Sequence, residues 1–213
     1  NTTFVIDTTP DFRSQMLIHQ VKKLDAVVFT HPHKDHVAGM DDVKAFCYFQ
    51  SQPMKVYANA ITKSALEREF SYVFSDKKYP GVPEIDVIDI DLDAFMVGDI
   101  PVLPIKVWHL YMPVLGFRIG KFTYITDANK IDAEELEKMK GTEVLVLNAL
   151  RKEKHLSHFT LTEAVEVANK IGAKQTYFTH ISHQLGLHTQ ITNELPLGMS
   201  LAFDGLEIGR AHV

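Results

Sequence analysis

The sequence predicts an α/β chain with two mixed β-sheets flanked by helices, and three observations predict it. Short apolar runs alternate with helical patterns from end to end. The strands are too many, and too often joined by hairpins, for one doubly wound parallel sheet. The length of 213 residues, 46% of them hydrophobic, suits a single full-sized domain over 1–213, whereas two would be cramped.

The elements follow in order. TFVID (3–7) reads as a strand ending at Asp7, DFRSQMLIHQV (11–21) as a helix, and LDAVVFT (24–30) as a buried strand. VAGMDDVKAFCYF (37–49) is helical, KVYA (55–58) a strand, AITKSALEREFSYVF (60–74) a helix, and KKYPGVP a loop marked by Pro and Gly. IDVIDI (85–90) is a strand, and AFMVGDIPVLPIKVWH (94–109) is two strands about a Gly-Asp turn. GFRIGKFTYITD (116–127) is a hairpin turning at Gly120 and Lys121. DAEELEKMKG (132–141) is a helix between an Asp132 N-cap and a Gly141 stop. EVLVLNA (143–149) is a strand, and TLTEAVEVANKIGA (160–173) a helix whose Thr160 and Glu163 make a capping box. QTYFTH (175–180) is a strand, a short helix spans 189–195, and MSLAFDGLEI (199–208) closes the chain.

Net charge is −5 and no basic stripe stands out, so a large polyanion is not the expected partner. The single cysteine, Cys47, rules out a disulfide framework or a multi-cysteine zinc site and fits a reducing cytoplasm. No apolar run approaches the roughly 20 residues of a membrane span, and no signal peptide is evident. The chain opens at Asn1 almost directly into a strand, as though an upstream piece were absent.

Histidine is the compositional outlier, with 11 residues. FTHPHKDHVAGM (29–40) packs His31, His33, Asp35 and His36 into six positions. Four strand ends carry metal-competent side chains: His31 after AVVFT, His109 after IKVW, Asp127 after TYIT and His180 after TYFT. Neutral imidazole and carboxylate suit zinc, manganese or iron, and the lack of cysteine disfavours soft-metal chemistry. His31 and His33, two apart in an extended loop, can face one ion, while Asp35 and His36 turn toward a second. Such a set exceeds the needs of one tetrahedral zinc, so a two-metal site with one bridging carboxylate is expected.

HPHKDH matches the HxHxDH signature of the metallo-β-lactamase superfamily, and the later order of His, Asp, His resembles it across the chain. The resemblance implies an αββα sandwich, with His31, His33 and His109 on one divalent cation, Asp35, His36 and His180 on another, and Asp127 bridging. It implies that Asp7 braces the ligand loop. IDTTPDFRSQML, THPHKDHVAGMDDVKAF, GFRIGKFTYITDA, HLSHFTLTEA and YFTHISHQLG together resemble the PhnP-type phosphodiesterases, relatives of tRNase Z. In those groups an extra histidine lies upstream of the last ligand, and His158, 22 residues before His180, matches it.

The implied activity is hydrolysis of a small, including cyclic, phosphodiester by hydroxide activated between two zinc or manganese ions, with iron ranked lower. Asp35 would position the hydroxide and His158 would protonate the leaving alkoxide. Arg151, Lys154, His155 and His183 are candidates for substrate contact, although a solvated charged turn also explains LRKEKH. Trp108, Tyr111 and Met112 bracket His109 and suit either a pocket wall or the core. The expected partner is a small molecule rather than nucleic acid or membrane, with a homodimer as a compatible assembly.

Departures from the family are the absent Gly-rich first strand, the absent cysteine segment that holds a structural zinc, and Thr9 in place of a usual Gly. A tRNA 3′-end nuclease is the nearest rival, disfavoured by acidic charge and the lack of a basic arm. A thioesterase or lactonase comes next. A di-iron oxidoreductase would place Glu at His33 and add a flavodoxin domain, and a non-catalytic module would be expected to lose ligands.

Overall fold

Every strand pair in the first sheet is parallel, because helices rather than hairpins return the chain between them. A computed structural model describes residues 1–209, and the chain divides into two units at Pro104/Ile105. In the first unit β1 (Phe4–Ile6), β2 (Ala26–Val28), β3 (Met54–Ala58) and β4 (Ile85–Asp89) lie in that spatial order. Between them run α1 (Phe12–Ile18), α2 (Lys34–Val37), a 3₁₀ turn (Met40–Val43), α3 (Lys44–Gln50), α4 (Ala60–Glu69) and α5 (Ser71–Phe74). Phe12, Val27, Phe29, Met40, Val56 and Leu66 belong to its core. Only the second sheet is mixed, so the sequence-based expectation of two mixed sheets holds for one of them.

The second sheet has the order β12-β11-β10-β8-β7-β6-β5, with β9 also on β6. Its strands are β5 (Phe95–Val97), β6 (Ile100–His109), β7 (Met112–Ile119), β8 (Phe122–Ile125), β9 (Lys130–Ile131), β10 (Val144–Asn148), β11 (Gln175–Thr179) and β12 (Met199–Leu201). The β6 strand crosses the boundary, pairing antiparallel with β5 through Val102 and with β9 through Val107. From β8 through β10 and β11 to β12 the pairs are parallel, which sets the C-terminal ends of β8, β10 and β11 side by side. The second unit adds α6 (Ala133–Lys138), α7 (Leu161–Ile171) and α8 (His188–Glu194). On α7, Leu161, Ala164 and Ala168 are buried along one stripe, and both bonds of the Thr160–Glu163 capping box form. Among the described residues, no helix is long and apolar enough to cross a membrane.

The helix expected over 37–49 starts earlier, at Lys34, and breaks at Gly39 into α2, the 3₁₀ turn and α3. A close approach explains the break. Gly39 N–H donates to Thr8 O at 3.0 Å and Thr8 N–H donates to His36 O at 2.7 Å, which docks the segment after β1 on the end of α2. A Cβ at Gly39 would lie 2.4 Å from Thr9 O and 2.5 Å from Phe12 Cβ. Gly39→Ala is therefore expected to destabilise the fold by about 1–3 kcal/mol. The check is a lower denaturant midpoint at unchanged slope.

Candidate functional site

In the first unit a carboxylate organises two histidines. Asp7 ends β1 in the left-handed region (φ 62°), one residue beyond the Ile6–Val28 pairing. Its Oδ1 accepts the Thr30 backbone N–H at 2.8 Å. Its Oδ2 accepts the Thr30 hydroxyl at 2.7 Å and His36 Nδ1 at 2.7 Å. With its one proton given to Asp7, Thr30 Oγ1 accepts from His31 Nδ1 at 2.9 Å. In its neutral form each imidazole thereby carries its proton on Nδ1 and a lone pair on Nε2. Asp7, Thr30, His31 and His36 are all buried. Burial pushes the Asp7 carboxyl above the usual carboxylate range, against the opposing hydrogen bonds from His36 and Thr30. The His31 ring lies 4.7 Å from that of His33 and 4.1 Å from that of His36, whose Nε2 is 3.4 Å from Asp35 Oδ2.

In the second unit strand ends do the same work. Asp127 follows β8 and His180 follows β11, both left-handed (φ 54° and 53°), while His109 ends β6. The buried Asn148 side chain at the end of β10 holds Ala128 from both sides, accepting its N–H at 2.8 Å and donating to its carbonyl at 2.9 Å. His109 Nδ1 meets the carbonyls of Asp127 at 3.0 Å and Ser157 at 2.9 Å. Carbonyls only accept, so the neutral His109 ring also has its lone pair on Nε2. His180 Nε2 lies 3.2 Å from Asp127 Oδ1, and His158 Nε2 lies 3.3 Å from Oδ2. The buried His158 ring stacks on His180 at 4.9 Å and meets His109 edge-on at 4.6 Å. Ligand atoms of His109, Asp127 and His158 all lie within 4.8 Å of one another, so His158 itself stands within reach of a shared cation.

The other expected residues divide. Arg151 directs its guanidinium to the carbonyls of Glu153 and Lys154 and to Gln184 Oε1, which braces its own loop. Lys154 and His183 are exposed. His155 is half-buried against His158, and burial, followed by the charges of His158 and Arg151, lowers its pKa below the ordinary histidine range. Trp108 donates to Asp132 Oδ2 at 2.6 Å beneath the cations of Lys106 and Lys130, a packing role, while Tyr111 is exposed and Met112 half-buried. Sequence reasoning missed Thr30, Asn148 and Asn129. The last accepts Leu110 N–H and donates to Leu156 O, tying two loops together.

Imidazoles with Nε2 lone pairs fixed by hydrogen bonds at Nδ1, together with carboxylates, form a donor set that fits zinc, manganese or ferrous iron. Removing the brace is then expected to weaken binding. Asp7→Ala should lower metal affinity about 10- to 100-fold, and Thr30→Val, which cuts only the His31 branch, should lower it by less. Chelator competition on the reconstituted protein measures both.

Comparisons with known proteins agree with this fold. The beta-lactamase superfamily domain profile matches residues 2–181. A curated octanoyltransferase of Porphyromonas gingivalis is 36% identical over 205 residues, covering 95% of this chain. The chain spans about two fifths of that relative's length, 41%. A crystal structure of a diphosphatase from the PhnP family is 37% identical, with a TM-score of 0.89 over 97% of this chain and 79% of that one. Human tRNase Z, short form, shares the fold at 18% identity, with a TM-score of 0.70 over 96% of this chain and 86% of that one. The chain belongs to the beta-lactamase superfamily and has the metallo-β-lactamase fold.

Proposed function

We propose that the chain is a metal-dependent phosphodiesterase acting on a small phosphodiester, cyclic ones included. By the family resemblance, the first unit supplies His31, His33, Asp35 and His36 and the second His109, Asp127 and His180 as ligands for two divalent cations, zinc or manganese. When bound, such cations lower the pKa of water toward neutrality and neutralise phosphoryl oxygens. The chain's own residues do the rest. Asp35 orients the attacking water, and Asp7 holds the imidazole of His36 directly and that of His31 through Thr30.

One observation carries the choice of substrate class: a buried imidazole, His158, has Nε2 3.3 Å from Asp127 Oδ2 and belongs to none of the expected ligand positions. An alkoxide leaving from phosphorus is strongly basic and needs a proton as its bond to phosphorus breaks. His158 can deliver that proton from Nε2. A thiolate leaving from an acyl group is far less basic and needs no such donor. The likeness to a PhnP-family diphosphatase at 37% identity supports phosphoryl chemistry. Acyl chemistry is the second reading, favoured by the octanoyltransferase name of the curated relative.

The test is hydrolysis of bis-p-nitrophenyl phosphate and of cyclic phosphates, beside a thioester, on protein reconstituted with each metal. Phosphodiester turnover with little thioester turnover is expected. His158→Ala should keep its metals and lose about 100-fold or more in kcat on cyclic phosphates, whose leaving alkoxide needs the proton, and much less on bis-p-nitrophenyl phosphate. Parental turnover of cyclic phosphates in that variant would remove the role given to His158, and thioester turnover alone would favour the acyl reading.

A further inference from the structure

We propose that His155 is a positioning residue for His158: its Nδ1 accepts the Nδ1–H of His158 and so aims Nε2 of His158 at the reacting group. The inference deepens the phosphodiesterase reading and rests on it.

Donor logic assigns both rings. The backbone N–H of Ser157 donates to His155 Nδ1 at 3.3 Å. A peptide N–H cannot accept, so His155 Nδ1 holds a lone pair and its ring proton sits on Nε2. His158 Nδ1 lies 3.1 Å from that same atom. A hydrogen bond between these two nitrogens therefore needs its proton on Nδ1 of His158. The Ser157 hydroxyl, 3.1 Å from His158 Nδ1 and 3.4 Å from His155 Nδ1, closes the triangle.

A buried imidazole can sit in two ring orientations related by a half-turn about its outer torsion. The flipped orientation would replace the Nδ1–H by a carbon against the His155 lone pair and would turn Nε2 off Asp127. The hydrogen bond therefore selects one orientation and one tautomer together. Packing alone cannot choose, because the two orientations of a histidine ring have nearly the same shape. His155 itself was a candidate for substrate contact from the sequence; its Nδ1 instead points at His158.

The experiment compares His155→Ala and His155→Asn in zinc-loaded protein with a nucleoside 2′,3′-cyclic phosphate, whose leaving group is an alkoxide, and reads histidine tautomers by ¹⁵N NMR. Asn places Oδ1 where Nδ1 stood, so it can still accept. Expected are a kcat reduced about 10- to 100-fold for His155→Ala with KM within about twofold, and recovery of most of that loss in His155→Asn. The spectra should show Nδ1 unprotonated in His155 and protonated in His158. The proposal is overturned if His155→Asn is as impaired as His155→Ala, if the loss falls on KM, or if His155 carries its proton on Nδ1. Should the parent protein hydrolyse no phosphodiester, the phosphodiesterase reading falls, and the NMR tautomers alone then decide whether His155 holds His158.

Discussion

Much of the first unit's candidate chemistry depends on one buried carboxylate. Asp7 receives three hydrogen bonds, two from Thr30 and one from His36. A buried carboxylate is costly unless it is satisfied in this way. The same bonds that satisfy it decide which nitrogen of His36, and through the Thr30 hydroxyl which nitrogen of His31, holds the lone pair. Fold and chemistry cannot be separated here. Gly39 belongs to the same constraint, because the chain after Asp7 reaches the end of α2 only where no Cβ intervenes.

The second unit holds His109 through backbone instead. Backbone carbonyls of Asp127 and Ser157 hold the His109 ring, and those carbonyls are fixed in turn by neighbours. Asn148 clamps Ala128 next to Asp127, and Phe159 N–H reaches Ala128 O, which holds the loop carrying Ser157 and His158. Asp7, Asp127 and His180 all sit in left-handed backbone, a conformation that costs about 1 kcal/mol or more for a residue other than glycine. Each lies where a strand stops and the chain turns sharply. A strained turn at the strand end is tolerated because the sheet before it and the hydrogen bonds around it leave the backbone no alternative.

Much of this was legible in the sequence, and the limits have physical causes. Apolar runs that end in His or Asp marked His31, His109, Asp127 and His180, since burial patterning shows where a strand stops. The capping box at Thr160 and Glu163 was legible because both its residues are named by type and spacing. Left-handed backbone at Asp7, Asp127 and His180 was not, because Asp and His are only enriched in that region and their type does not fix the sign of φ at a given position. Thr30 looked like one more β-branched strand residue, and Asn148 like the frayed end of VLVLN. β7 was expected from Gly116 but begins at Met112, because Pro113 argues against a strand unless partners are known. β9, with two residues, is too short for any periodicity to show.

The hydrogen bonds behind the imidazoles also make them chemically unequal. His36 donates Nδ1–H to a carboxylate, His31 to a hydroxyl that is itself polarised by that carboxylate, and His109 to two neutral carbonyls. A charged acceptor raises the basicity of the opposite nitrogen more than a neutral one does, so Nε2 of His36 is the stronger electron donor and Nε2 of His109 the weaker. His158 differs in kind, since its Nδ1–H meets the lone pair of an imidazole and its Nε2 faces Asp127. A strong donor suits permanent hold on a cation, whereas an imidazolium gives up its proton more readily when the acceptor behind its other nitrogen is neutral. The chain thus draws a distinction between four histidines of one type through what stands behind each ring.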